Sequence, residues 1–398
     1  MNIGNGVHLT YCSNIHAGET WAEVQANLTK YIPLVRSHVA PTERFGIGLR
    51  LSAQAANELH ETPQLESFRH FLSKNNLYVF TLNGFPYGTF HGKRVKEDVY
   101  LPDWRSQDRL IYTNKLADLL ANLLRNEHIE GSISTVPGAY KSVIKLQSDI
   151  ETMTSNLIKH VAHLVLLKRK SGKHITLALE PEPCCFLETI DETVAYFTQH
   201  LFGEKAIAAL QTMCGLNKAE AFWAIKSHIG LCLDLCHAAV EFEDIESCLL
   251  KLQQAEVSIY KMQISAGMSI NDFSKETLDA LQAFNDEVYL HQVVEIKQGV
   301  LKRYIDIPEA LESLSENRQP DEWRVHFHVP IFHDELGKFR STKDFLKKAL
   351  EVQRKQTIST HLEVETYTWD VLPAYLKQVS IDTAIAHELF WVKEALTT

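Results

Sequence analysis

In five short segments of this 398-residue chain, ionisable residues alternate with apolar ones at the two-residue period of a β-strand. In ITLALEPEP (175–183), Glu180 and Glu182 share one parity, and Leu177 and Leu179 take the other. In IGLCLDLCH (229–237), Asp234 lies with Cys232 and Cys236, opposite Leu231, Leu233 and Leu235. KMQIS (261–265) sets Lys261, Gln263 and Ser265 against Met262 and Ile264. RVHFHV (324–329) sets His326 and His328 against Val325, Phe327 and Val329, and HLEVET (361–366) sets Glu363 and Glu365 against Leu362 and Val364. If the apolar faces are packed, the carboxylates and imidazoles face one another. Buried without a countercharge they would cost several kcal/mol each, and a divalent cation is the usual resolution. Carboxylates with a histidine suit Mn²⁺, Fe²⁺, Co²⁺ or Zn²⁺, and Mg²⁺ when waters complete the shell. Taken singly, each residue would read as a salt-bridge partner or a cap. Together, Glu180, Asp234, His328 and Glu365, each late on its own segment, read as a metal site.

The elements that must bring these segments together alternate along the chain. Apolar, β-branched runs predict strands over 7–13, 45–52, 77–83, 131–136, 175–182, 229–236, 258–265, 324–329 and 361–366. Amphipathic stretches between them predict helices over 20–38, 107–128, 142–170, 191–202, 242–255, 275–284, 342–356 and 383–396. Such alternation implies a parallel sheet with right-handed crossovers, either an open doubly wound sheet or a closed (β/α)₈ TIM barrel. No Gly-rich phosphate turn follows an early strand, so the barrel is favoured. Nine candidates for eight strands make one of the last three an extra element. The expectation is a single barrel domain over 1–398, with loop insertions near 84–106, 137–145, 266–323 and 330–341 long enough to cover one end. In a barrel the polar parities turn into the lumen, near the C-terminal strand ends where barrel enzymes place their chemistry.

Composition narrows the partners. Forty Lys and Arg against 50 Asp and Glu give a net charge of −10 without a long basic block, which disfavours a phosphate-backbone surface and hence nucleic acid. No run approaches the roughly 20 apolar residues of a membrane span, and the start MNIGNGVHLTYCSN lacks the pattern of a secretory signal. A cytoplasmic address is the expectation. Seven cysteines, an odd number, fit reduced thiols. The Cys232, Cys236, His237 cluster departs from the usual zinc spacing and reads as buried thiols beside a histidine.

LEPEP at 179–183, DLCH at 234–237 and EVE at 363–365 resemble the metal-binding strand ends of the xylose-isomerase-like TIM barrels, which include sugar isomerases and epimerases and the endonuclease-IV-like enzymes. YCSNIHAGETW at 11–21, TLNGFPYGTFHG at 81–92, STVPGAYK at 134–141, KMQIS, RVHFHVP at 324–330 and LEVETYTW at 362–369 further resemble the EboE-type metabolite traffic proteins of that superfamily. The resemblance implies that Glu180, Asp234 and Glu365 are metal ligands and that His237 lies beside the substrate. The epimerases have a His where this chain has Gln263, so either Gln263 or His328 supplies the third ligand; His328 is preferred, with His326 supporting it.

The implied activity is a metal-dependent isomerase or epimerase acting on a sugar, cyclitol or related polyol. The metal would bind adjacent substrate oxygens and stabilise an enediolate, with Glu180 and Glu365 moving the proton and His237 orienting an oxygen. Asn14, His16, Asn83, Phe85, Tyr87, Glu182 and His326 are the expected substrate contacts. Two alternatives stay open: a non-catalytic metabolite-binding barrel, and an endonuclease-IV-like phosphodiester hydrolase. An oligomer is compatible with either.

Overall fold

The computed structural model describes residues 1–92, 94–124, 130–314 and 319–397. In chain order the strands are β1 (His8–Tyr11), β2 (Phe45–Arg50), β3 (Leu77–Asn83), β4 (Gly131–Thr135), β5 (Ile175–Leu179), β6 (Ile229–Asp234), β7 (Ile259–Ile264), β8 (Met268–Ile270), β9 (Val293–Lys297), β10 (Val300–Tyr304), β11 (Glu322–Val325), β12 (Glu335–Leu336), β13 (Phe339–Ser341) and β14 (His361–Val364). β1 to β7 and β14 form one parallel sheet in the order β1-β14-β7-β6-β5-β4-β3-β2. A parallel bridge between Cys12 and Gly48 links the two outer strands. Thr10 reinforces that join, its hydroxyl donating to Gly46 O (2.7 Å) and accepting from the Gly48 N–H (3.2 Å). Most strand residues are buried on both faces, as expected for a parallel sheet under helices.

The helices follow the apolar spacing. Trp21–Val39 starts at a capping box made by Thr20 and Glu23 and buries Trp21, Val24, Leu28, Ile32, Val35 and Val39. The helix expected over 191–202 divides into Ile190–Tyr196 and a π-turn at Phe197–Leu201. The helix expected over 107–128 spans Gln107–Leu123, and 125–128 lie outside the described residues.

Of the nine strand candidates, the one over 324–329 lies outside the barrel. β11 pairs antiparallel with β9 and β8 in a second sheet, ordered β10-β9-β11-β8-β13-β12, which the stretches at 266–323 and 330–341 build instead of irregular loops. Within that insertion, 315–318 lie outside the described residues. β11 ends at Val325, so His326 and His328 sit on extended chain beyond it and not on a strand. Among the described residues no helix is long and apolar enough to cross a membrane, and all seven cysteines are free thiols.

The barrel interior away from the C-terminal strand ends is also polar. Thr81 and Ser132 share a hydrogen bond (2.8 Å), and His361 Nδ1 lies 2.8 Å from Ser132 Oγ. Burial pushes the His361 imidazole down to about 3, so it is neutral when folded and takes a proton readily only when unfolded. The unfolded chain therefore binds more protons as pH falls through 6.5, and His361 stabilises the fold above that pH but loses its contribution between about 6.5 and 3. From pH 7 to pH 5 this imidazole should remove ~2 kcal/mol of stability. In urea unfolding at the two pH values, His361→Gln should show a correspondingly smaller acid loss than the wild-type chain. Equal losses would mean that the buried ring protonates freely.

Candidate metal centre and substrate cavity

Asp234, Glu365 and His328 are held by partners that use one polar atom of the side chain, while Glu180 is placed by its backbone. Glu180 follows β5 directly, its N–H donating to Thr135 O (3.1 Å). Pro181 and Pro183, which lack N–H groups, flank Glu182 and prevent a continued ladder. Asp234 ends β6 and caps the short helix Leu235–Val240. Its Oδ1 accepts from the His237 N–H (2.9 Å) and from the Ser265 hydroxyl (2.8 Å). Glu365 lies just past β14, its Oε1 accepting from Asn14 Nδ2 (2.7 Å) and Asn83 Nδ2 (2.9 Å). His328 donates from Nδ1 to Glu365 O (2.8 Å), since a carbonyl only accepts. That contact fixes the tautomer and leaves a lone pair on Nε2, 3.9 Å from Asp234 Oδ2.

What remains is a set of buried atoms with no hydrogen-bond partner: Glu180 Oε2, Asp234 Oδ2 and His328 Nε2. Ligand atoms of Glu180, Asp234 and Glu365 lie within 4.8 Å of one another, as do those of Asp234, His237 and His328, so Asp234 joins the two groups. Burial, then the neighbouring charges of Glu365 and Asp234, raise the Glu180 carboxyl well above its usual range. Glu365 is raised in the same direction by burial and then by Asp234 and Glu363. Burial pushes His328 down to about 4, which keeps its Nε2 lone pair available at neutral pH. Buried oxygens of like charge and an unshared imidazole lone pair, turned on one another, are unfavourable as they stand. A divalent cation would turn each into a ligand, and three carboxylates with one imidazole are a donor set that Mn²⁺, Fe²⁺, Co²⁺, Zn²⁺ or Mg²⁺ accepts.

Beside these residues lies a cavity that opens to solvent. Glu180, Glu182, Glu365 and His237 supply its acidic and imidazole part, and Phe85, Phe90, Tyr100, Tyr289 and Tyr367 its aromatic wall. Asn14, Asn83 and His326 line it as well. His16 and Tyr87 do not. The His16 ring stacks on Tyr31 at 4.2 Å and bonds Tyr11 Oη (3.2 Å), and the Tyr87 ring packs edge-on against Tyr112 at 5.1 Å. Gln263 stands in register with Asp234 and with Glu363; it is fully buried, and neither amide atom has a partner.

Several cavity residues carried no signal by type or period. Phe90 and Tyr367 belong to the quoted segments TLNGFPYGTFHG and LEVETYTW, whose aromatic residues could have been singled out there. Tyr100, Lys96 and Tyr289 come from the stretches at 84–106 and 266–323, where no periodicity says which side chain turns inward.

No protein-family model matches the sequence, and no curated protein matches it either. Solved structures do. A xylose isomerase-like TIM barrel protein from Mycobacterium smegmatis, in complex with magnesium, superposes with a TM-score of 0.53 at 10% identity, over 98% of this chain and 97% of that one. A D-tagatose 3-epimerase-like protein overlies 98% of this chain and 97% of its own, with a TM-score of 0.49 at 10% identity. An L-ribulose 3-epimerase follows with a TM-score of 0.47 at 10% identity, over 98% of this chain and 94% of its own. At such identities the likeness is one of architecture. Eight parallel strands joined in this order under a ring of helices are a TIM barrel, the fold of the xylose isomerase-like protein that it overlies.

Proposed function

We propose that this chain is a divalent-metal-dependent isomerase or epimerase acting on a sugar, cyclitol or related polyol. The observation that carries the reading is the trio of buried, unpartnered atoms, Glu180 Oε2, Asp234 Oδ2 and His328 Nε2, at the strand ends beside an aromatic and acidic cavity. The ion would be held by Glu180, Asp234, His328 and Glu365. When bound it would acidify a substrate hydroxyl and stabilise negative charge on neighbouring oxygens.

The protein's own groups would do the rest. Glu180 and Glu365 line the cavity from different strand ends, β5 and β14, so one carboxylate can take a proton from a substrate carbon and the other return it. Asn14 and Asn83 hold Glu365 by Oε1, which fixes the direction of Oε2. Glu182, pushed up to about 7 chiefly by burial, can exchange a proton near neutral pH. The aromatic rings would cover the C–H faces of a sugar ring and exclude water. Lys96 lines the cavity, but its ammonium is engaged by Asp306 at 2.6 Å. That pairing fits a substrate without a phosphate group.

The segments TLNGFPYGTFHG and LEVETYTW support placing this activity with the EboE-type proteins, as one cytoplasmic barrel domain that carries the six-stranded sheet as an insertion and serves a small-metabolite pathway. The test is solvent exchange. Manganese-loaded protein in D₂O, offered a panel of free ketoses, aldoses and cyclitols, should replace a carbon-bound hydrogen by deuterium, as read by proton NMR. Glu365→Gln should abolish the replacement. Tight binding of a panel member with no exchange would make the protein a carrier and end the catalytic reading.

A further inference from the structure

We propose that Glu388, on the C-terminal helix Ile381–Thr397, is a positioning residue that sets the spacing between His328 and Glu365 and so the affinity of the centre for its ion. The inference rests on the proposed function, since it concerns the same centre. Glu388 does not line the cavity. It is 2% exposed, and among the described residues it forms no ion pair. Burial pushes its carboxyl up to about 7. A carboxyl buried there costs stability that an apolar residue would not. What it gains is two donors on one oxygen: Thr366 Oγ1 donates to Glu388 Oε1 (2.7 Å), and so does the Ile331 N–H (3.2 Å).

Those donors lie on the two segments that carry ligands. Thr366 follows Glu365 directly, and Ile331 comes three residues after His328. His328 Nδ1 donates to Glu365 O (2.8 Å), so hydrogen bonds and chain together close one ring through His328, Glu365, Thr366, Glu388 and Ile331. Thr368 Oγ1 donates to His328 O and braces the ring across its middle. The ring matters because the ligands differ in what lies beneath them. Asp234 ends β6, and the N–H groups of Glu180 and Glu365 still donate to neighbouring barrel strands, at Thr135 O (3.1 Å) and Ile264 O (3.2 Å). His328 has no barrel strand beneath it. Its segment leaves β11 at Val325, and the Val329 N–H donates to Ala266 O (2.9 Å), just past β7. Glu388 is the member that joins the two segments from outside. Metal–ligand distances hold to about 0.2 Å, so a small drift of His328 against the carboxylates lowers affinity.

Mn²⁺ titration of the metal-stripped chain, read by the electron paramagnetic resonance of the free ion, tests the assignment. Glu388→Leu should weaken Mn²⁺ binding roughly 10-fold or more. Glu388→Gln keeps an oxygen that can accept both bonds and should bind Mn²⁺ nearly as the wild-type chain does. Leu389 is a fully buried neighbour on the same helix. Leu389→Ala should lower thermal stability and leave the affinity unchanged, which separates positioning from a loosened helix. Thr366→Val removes one donor at nearly the same shape and should weaken binding in the same direction, so it gives the answer if Glu388→Leu does not fold. Wild-type Mn²⁺ affinity in Glu388→Leu or in Thr366→Val would overturn the role of Glu388 and leave the centre intact. An equal loss of affinity in Leu389→Ala would overturn it as well. No Mn²⁺ bound by the wild-type chain would overturn the centre itself, and this inference with it.

Discussion

Glu180→Gln is expected to raise the stability of the metal-free protein and at the same time to abolish its response to Mn²⁺. Glutamine keeps the side-chain volume and removes only the charge. In the metal-free fold that charge is unfavourable, since Glu180 is buried and faces Glu365 and Asp234. The three carboxylates offer ligand atoms within 4.8 Å of one another, so neutralising one relieves both its desolvation and the repulsion it imposes. The metal-bound fold has the opposite sign, because the same oxygen becomes a ligand. At a Mn²⁺ concentration of roughly a hundred times its Kd, a bound ion adds about 2.7 kcal/mol to the wild-type chain, and the variant should gain almost none. The two thermal unfolding series, with and without Mn²⁺, should therefore cross. Exchange activity should fall by roughly 10³-fold or more, since one residue serves as both ligand and base. A variant that keeps the full Mn²⁺-dependent shift would remove Glu180 from the centre.

That the carboxylates could be placed from sequence, and the histidines and aromatics only in part, has a physical cause. Glu180, Asp234 and Glu365 each end or directly follow a barrel strand, where a two-residue period fixes the direction of the side chain and the apolar neighbours show which face is packed. His326 and His328 share a parity as well, but β11 has already ended and belongs to the antiparallel sheet. His326 reaches the cavity through Gln292, and His328 reaches Asp234 through its bond to Glu365 O, contacts between segments far apart in sequence. His16 shows the same limit from the other direction. It caps the 3₁₀ turn Ser13–Ile15, where the strand period no longer applies, and its ring turns to Tyr31. Tyr100, Tyr289 and Gln292 lie in insertions whose inward faces are set by tertiary packing alone.

Lys261→Met is expected to destabilise the barrel by ~3–5 kcal/mol, while pairing it with Glu363→Leu should restore most of that loss without restoring metal affinity. Lys261 Nζ lies 2.5 Å from Glu363 Oε2, and neither side chain is exposed. Ser134 Oγ accepts a further hydrogen bond at 3.2 Å. The pair is fitted closely: a Cβ at position 48 would fall 1.9 Å from Glu363 Oε1, so Gly48 is what leaves room for the carboxylate. Removing the ammonium alone leaves a carboxylate with no countercharge in a place water does not reach, and that accounts for the large cost. Removing both charges leaves an apolar pair of similar volume, which in other buried ion pairs is close to neutral. The same ammonium also draws the Glu180 and Glu365 carboxyls down, against their burial. With Lys261 gone the Glu180 carboxyl rises further in either variant and binds a proton more tightly in competition with a divalent ion, while Glu365 rises in the single variant, where Glu363 stays to raise it. Chemical denaturation should thus rank the double variant near wild type and the single far below. Mn²⁺ titration at pH 6 should rank both variants below wild type. Equal stability losses in the two variants would mean that the barrel depends on the volume of Lys261 and not on its charge.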